Sequence, residues 1–146
     1  MGQCVICDEA NGIDTPLAYQ DAAVSVFPAR WQPPGHPGYA LLVTRLHIPT
    51  LYDLADDQIG PLFSRLRDTA RAVELASKAS GTTIRQNNNP PSQEIDHLHF
   101  HIVPRFIGDG YWNAQPREID ATTRQDQANA LSSALDGPTI GGSFSG

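Results

Sequence analysis

The sequence predicts an α+β fold built on an antiparallel sheet. Strand-like runs stand at residues 23–27 and 39–44, and again at 82–86 and 97–103. One long amphipathic segment separates these two groups, an arrangement that favours an antiparallel sheet over a doubly wound parallel one. No internal repeat interrupts the pattern, and 146 residues suffice for one domain with a hydrophobic core.

Each element has a local cause. The run at 23–27 is closed by Pro28, which brings no amide proton to a ladder. Residues 31–38, Trp-Gln-Pro-Pro-Gly-His-Pro-Gly, carry too many breakers for regular structure and are expected to be irregular. Residues 39–44 form a continuous apolar run, read as a buried strand. Asp56 and Asp57 favour a helix start, and Ile59, Leu62, Phe63, Leu66, Ala70, Val73 and Ala76 recur at helical spacing. Gly81 is suited to end that helix. A strand at 82–86, a polar loop at 87–92, a strand at 97–103 and a weaker helix at about 125–135 follow. The Gly-rich ending, 137–146, is expected to be a flexible tail, leaving 1–136 as the domain.

Composition narrows the functional classes. The longest aliphatic stretch, near residues 40–43, is far too short to cross a bilayer. The amino terminus has no basic start with an apolar run, and Ile6 stands where a myristoylation signal needs Ser or Thr, so a cytoplasmic location is expected. A formal charge of −6 argues against long nucleic acid as a partner. A small phosphorylated ligand, which needs only a few donors, stays compatible with it.

The chemistry concentrates in His97-Leu98-His99-Phe100-His101-Ile102-Val103, which holds three of the five histidines. On a strand the histidines share one face, and Leu98, Phe100 and Ile102 share the other, against a core. His97 and His101 would then lie about 13 Å apart, too far for one ion with bonds of about 2 Å. A row that divides roles along an extended substrate fits better than one metal site. Cys4 and Cys7 are the only cysteines, a spacing open to a metal half-site, a redox pair or two free thiols.

The segment Asp96-His97-Leu98-His99-Phe100-His101-Ile102-Val103-Pro104-Arg105 resembles the signature of the histidine triad (HIT) superfamily. The opening Cys4-Val5-Ile6-Cys7 resembles bacterial members related to its Hint branch. Residues 37–47, Pro-Gly-Tyr-Ala-Leu-Leu-Val-Thr-Arg-Leu-His, look like that branch's Pro-Gly-His-x-Leu-Val segment and its trailing histidine. The resemblance implies a HIT-like fold, with an antiparallel sheet of about five strands, one long helix and a shorter C-terminal helix. It also implies a homodimer joined through the long helix and an edge strand.

The resemblance further implies a mechanism. His99 would attack the α-phosphorus of a nucleoside phosphoramidate, nucleotidyl adduct or dinucleoside polyphosphate, giving a nucleotidyl-histidine that water resolves. Its other ring nitrogen would donate to a backbone carbonyl. His101 would donate to a phosphate oxygen or help protonate the leaving group, and a third-position histidine favours hydrolysis over transfer. Gln93 would contact the phosphate, with Asn87, Asn88 and Phe27 as further substrate contacts. Cys4, Cys7, His47 and His97 would form a closed, structural tetrahedral Zn²⁺ site.

His36, in Pro34-Gly35-His36, is read as a surface-loop residue, and Arg105 and Trp112 as supports. The chain departs from the family in three ways. No acidic or Asn residue for ribose stands at 27–34, Thr44 replaces a proline, and the loop before the triad is shorter, with Glu94 near the leaving group. That carboxylate tilts the reading toward amine leaving groups. Two other readings are a zinc hydrolase with metal-activated water, and a non-catalytic nucleotide-binding module.

Overall fold

Alternating apolar side chains give the central sheet two covered faces, and the two faces receive different partners. The computed structural model describes residues 4–136. In chain order these form α1 (Val5–Ala10), β1 (Tyr19–Gln20), β2 (Val24–Pro28), β3 (Trp31–Gln32), β4 (Ala40–Thr44), α2 (Asp56–Ser77), β5 (Gly81–Arg85), β6 (His99–Arg105), β7 (Arg117–Glu118) and α3 (Ala121–Asp136). The main sheet is five-stranded in the order β1-β2-β4-β6-β5, antiparallel throughout. The tail expected at 137–146 lies outside the described residues.

On one face Val24, Val26, Ala40, Leu42, Phe100 and Ile102 pack against Leu62, Leu66 and Val73 of α2 and Ala128 and Leu131 of α3. On the other, Phe27 and Val43 pack against Ile6 and Ala10 of α1. Each large aliphatic or aromatic side chain so buried contributes about 1.5–3 kcal/mol. His99 and His101 stand on β6 opposite Phe100 and Ile102, as strand alternation requires.

Helix α2 starts at Asp56, where Gln58 Oε1 accepts the Ala55 amide at 2.8 Å. It stops at Ser77 because Lys78 takes a left-handed conformation (φ 55°) and the Ala79 amide turns back to the Glu74 carbonyl at 3.0 Å. Gly81 therefore opens β5 instead of ending the helix. Helix α3 begins at Ala121, before the expected start, because the Asp120 carboxylate accepts the Thr123 amide and hydroxyl at 2.8 and 3.0 Å.

Three further departures concern single elements. Trp31–Gln32, inside the stretch expected to be irregular, forms a two-residue pairing with Arg117–Glu118. Helix α1 was not expected, being too short to show a period; Cys4 caps it, its Sγ accepting the Cys7 amide at 3.3 Å. The triad strand starts at His99, so His97 precedes it in a bend and is not placed by strand alternation.

His36 is fully buried and not on the surface. The loop folds over the end of β6, where His36 Nδ1 donates to the Pro104 carbonyl at 2.8 Å. Gly38 allows the next turn: its φ is +90°, and a Cβ there would fall 2.9 Å from Ser77 Oγ. That turn delivers Tyr39 to the start of β4.

Asp21 fastens the β1–β2 turn to α2. Its carboxylate accepts from Arg65 Nε at 2.6 Å, from the Ala23 and Val24 amides at 2.7 and 2.9 Å, and from the Tyr19 hydroxyl at 2.8 Å. Burial alone would raise this carboxyl, but Arg65 and the amides outweigh it and hold it at about 2. The ordinary value is about 3.9. Because the folded value is the lower one, the stabilisation is complete above about pH 4 and is lost as pH falls through about 2. Asp21→Asn is expected to lower Tm at neutral pH by about 2–4 °C and to shrink its fall between pH 4 and 2, roughly. An unchanged acid limb in thermal melts would refute this.

Candidate active site

His99 is placed by β6 and oriented from behind. Its Nδ1 lies 2.7 Å from the backbone carbonyl oxygen of His97. A carbonyl only accepts, so the ring proton sits on Nδ1 and Nε2 keeps a free lone pair. The His101 ring follows on the same face, its centroid 5.0 Å away and tilted at 67°.

His101 is oriented by a different set of groups. Its Nδ1 lies 2.7 Å from the Tyr39 hydroxyl, and Arg85 donates to that hydroxyl from Nη2 at 3.1 Å and to the Tyr111 hydroxyl from Nε at 3.1 Å. The β5–β6 register sets Arg85 opposite His101. Burial, with the neighbouring Arg85 charge and His99, pushes His101 down to about 3. Its imidazole is neutral at neutral pH.

Both rings open into one cavity of about 700 Å³, within the size range of small-molecule sites. Ile13, Trp31 and Leu41 give it apolar walls; Arg30, Arg85, Asn87 and Ser92 supply donors; Asp8, Glu9, Asp14 and Glu94 add carboxylates. A second cavity of about 710 Å³, by Arg30, Asp120 and Arg124, is lined by no histidine or cysteine.

Of the residues expected at the substrate, Asn87 lines this cavity with His99 and His101. Asn88 instead accepts the Leu51 amide at 2.9 Å and pairs with the Gln86 side chain. Gln93 is buried, donating to the Pro49 carbonyl at 2.7 Å and accepting the Asn89 amide at 2.8 Å. Phe27 does not reach the cavity: α1 covers its side of β2, and the ring is fully buried beside Ile6 and Ala10. Tyr39, Arg85, Ser92 and Trp31 were not foreseen at the site. For Arg85 the signal was available in part, since it lies on the expected strand that precedes the triad in sequence.

Cys4, Cys7, His47 and His97 form a second cluster, their ligating atoms all within 4.8 Å of one another. Cys4 Sγ and His97 Nδ1 are 3.3 Å apart, Cys7 Sγ and His47 Nδ1 3.3 Å, and Cys7 Sγ and His97 Nδ1 3.4 Å. A tetrahedron with metal bonds of 2.0–2.3 Å has edges of about 3.3–3.8 Å; these three contacts match such edges, and the widest separation, up to 4.8 Å, would close by about 1 Å around a four-coordinate Zn²⁺. His97 Nε2 donates to the Thr44 carbonyl at 2.7 Å, which leaves Nδ1 as an unprotonated donor atom toward the sulfurs. Burial lowers the His97 pKa and so favours the neutral form that can ligate. The Cys7 thiol is pushed up to about 11 by burial and by Cys4 beside it.

Comparison with known proteins agrees with this geometry. Residues 11–108 match the HIT domain family. An uncharacterized HIT-like protein of Saccharolobus solfataricus is 32% identical, with 73% of this chain and 76% of that protein covered. The adenosine 5'-monophosphoramidase of Saccharomyces cerevisiae is 27% identical over 57% of this chain and 53% of its own length. A Zn-bound histidine triad family protein from Mycobacterium smegmatis superposes with a TM-score of 0.76 at 25% identity, covering 92% of this chain and 94% of that one. With the family match spanning well over half of its length, this chain belongs to the HIT domain family.

Proposed function

We propose that this chain is a nucleotide hydrolase that works through a covalent nucleotidyl-histidine on His99. The observation that carries the reading is the 2.7 Å contact from His99 Nδ1 to the His97 carbonyl, which leaves Nε2 as a nucleophile beside the cavity. In the first step the Nε2–P bond forms as the bond from the α-phosphorus to the leaving group breaks; the leaving group departs with its electron pair, an amine doing so from nitrogen that has taken a proton from solvent. In the second, water attacks phosphorus and gives up a proton to solvent, the P–N bond breaks with its electron pair returning to Nε2, and nucleoside monophosphate leaves with His99 neutral again.

The substrate class is a nucleoside phosphoramidate, a nucleotidyl adduct or a dinucleoside polyphosphate. Glu94 in the cavity supports an amine leaving group over a polyphosphate, because two anions repel. A relative named for phosphoramidase activity points the same way. Asn87 and Ser92 are the polar contacts we assign to substrate, and Gln93 serves by pinning the loop that carries them. Hydrolysis through a metal-activated water is disfavoured, because none of the four clustered ligands lines the cavity and all four positions of a tetrahedral ion are filled.

Cys4, Cys7, His47 and His97 would hold Zn²⁺ as a structural cross-link between the amino terminus and the residues before the triad strand. The same chain is a candidate homodimer: β5 is an edge strand of five residues with Ile84 exposed, and Leu75 of α2 is exposed as well.

His99→Ala is expected to abolish turnover of adenosine phosphoramidate, by roughly three orders of magnitude or more, with Tm within a few degrees of wild type. Quenched wild-type reactions should carry one nucleotidyl group on His99; a label on another residue overturns the assignment. Elemental analysis of protein purified without chelator is expected to find about one zinc per chain. Replacing Cys4 and Cys7 by Ser should lower Tm more than it lowers kcat, and finding no metal with both thiols titratable would remove the site. Light scattering at micromolar concentration should give twice the chain mass; a monomer would exclude the dimer.

A further inference from the structure

The hydrogen bonds behind His101 have a direction. A guanidinium donates and cannot accept, so the Tyr39 oxygen is the acceptor in its 3.1 Å contact with Arg85. A phenol carries one proton, and His101 Nδ1, a ring nitrogen at 2.7 Å, is a stronger acceptor for it than the neighbouring Tyr111 hydroxyl. The opposite polarity, with His101 Nδ1 donating to Tyr39, would leave the phenol proton of a buried side chain only the Tyr111 hydroxyl, already engaged by Arg85 at 3.1 Å, in place of its 2.7 Å contact with the imidazole. Nδ1 of His101 is thus an acceptor, and its ring proton sits on Nε2. Arg85 is itself braced by the Tyr111 hydroxyl at 3.1 Å.

We propose that Tyr39 and Arg85 are positioning residues that hold His101 as an Nε2–H donor toward the cavity, so that His101 binds the phosphoryl oxygens and does not protonate the leaving group.

The same groups argue against the acid role. Arg85 on β5, His99 on β6, and Tyr39 and Tyr111 on the flanking turns surround the ring, and none is an anion that would favour an imidazolium. Burial and the Arg85 charge hold the ring far below its ordinary value, at about 3. Passing a proton through neutral His101 would make Tyr39 a phenolate, and burial pushes that phenol up to about 12 in spite of Arg85. A hydrogen bond to a developing phosphoryl charge needs no proton transfer.

The two roles differ in how rate depends on the leaving group. A donor to non-bridging oxygens helps every substrate alike, whereas an acid matters more as the leaving group becomes more basic. The rate arm rests on the nucleotidyl-histidine reading above; the tautomer arm does not. In the full chain with ¹⁵N-labelled histidine, NMR is expected to show His101 protonated at Nε2 and unprotonated at Nδ1. Tyr39→Phe should populate both tautomers. It should also lower kcat/KM about tenfold, the scale of one lost hydrogen bond, by the same factor across adenosine phosphoramidates and aryl adenylates of graded leaving-group basicity. Arg85→Met should show a smaller, equally uniform loss. A wild-type His101 protonated at Nδ1 overturns the proposal, as does a loss that grows with leaving-group basicity, or a Tyr39→Phe variant with unchanged tautomer and rate. If the wild type turns over none of these substrates, the hydrolase reading fails and the tautomer measurement still decides the positioning.

Discussion

A carbonyl oxygen, that of His97, accepts the Nδ1 proton of His99 at 2.7 Å, and the position of that oxygen is fixed on every side. The His97 ring is tied at Nε2 to the Thr44 carbonyl and lies at Nδ1 against both cysteine sulfurs. Its amide donates to the Ile95 carbonyl, and the next amide, of Leu98, donates to the Ile48 carbonyl at 2.7 Å. His97 thus joins three parts of the chain: the amino-terminal helix, the end of β4 and His99. A side chain that attacks phosphorus must be in one tautomer and one orientation, and a rigid acceptor behind it supplies both. This gives the cysteine cluster a physical link to the chemistry without any contact to the cavity.

How far the sequence exposes such an arrangement depends on the range of the forces involved. The triad face and the α2 stripe were legible because strand and helix periods are local: Phe100 and Ile102 turn into the core, and His99 and His101 therefore turn away from it. The clustering of Cys4, Cys7, His47 and His97 was legible through family resemblance, since a Cys-x-x-Cys spacing alone does not choose its partners. What escaped is set by contacts between distant segments. His36 sits among prolines and glycines, and nothing nearby in sequence tells that Pro104 will cover it. Phe27 follows strand alternation faithfully, yet α1, too short to display a period, lies over it and closes it off. The pairing of Trp31–Gln32 with Arg117–Glu118 joins two segments with little strand character of their own.

Electrostatics reconciles an acidic chain with the anionic ligand proposed for it. The formal charge is −6, and carboxylates line the histidine cavity. An extended polyanion meets that overall field and is repelled, whereas a small ligand meets the local groups. Arg30 and Arg85 bring cationic charge to the cavity, and the Arg85 side chain is anchored by two phenols and not by a carboxylate. Its charge is therefore not cancelled by a paired anion in the network that holds it. Glu94 works in the opposite sense, and this balance is what the proposed preference for a single phosphoryl centre over a long anionic chain rests on.

His99 and His101 are the same side chain, two residues apart on one face of one strand, and they acquire opposite roles from what stands behind them. Behind His99 is a carbonyl, which can only accept; the proton is drawn back to Nδ1 and Nε2 is left as a base. Behind His101 is a phenol whose oxygen is already engaged by Arg85; its proton is pushed onto the Nδ1 lone pair and Nε2 is left as a donor. Under the proposed mechanism, a phosphate entering the cavity would meet a lone pair and an N–H side by side: electrons for phosphorus and a partner for the charge that gathers on its oxygens. Neither ring has to change protonation to present that pair. The selectivity between the roles lies in hydrogen-bond inventory, one acceptor-only group and one donor-only group placed one layer back, and it would be lost if either were exchanged for a group able to do both.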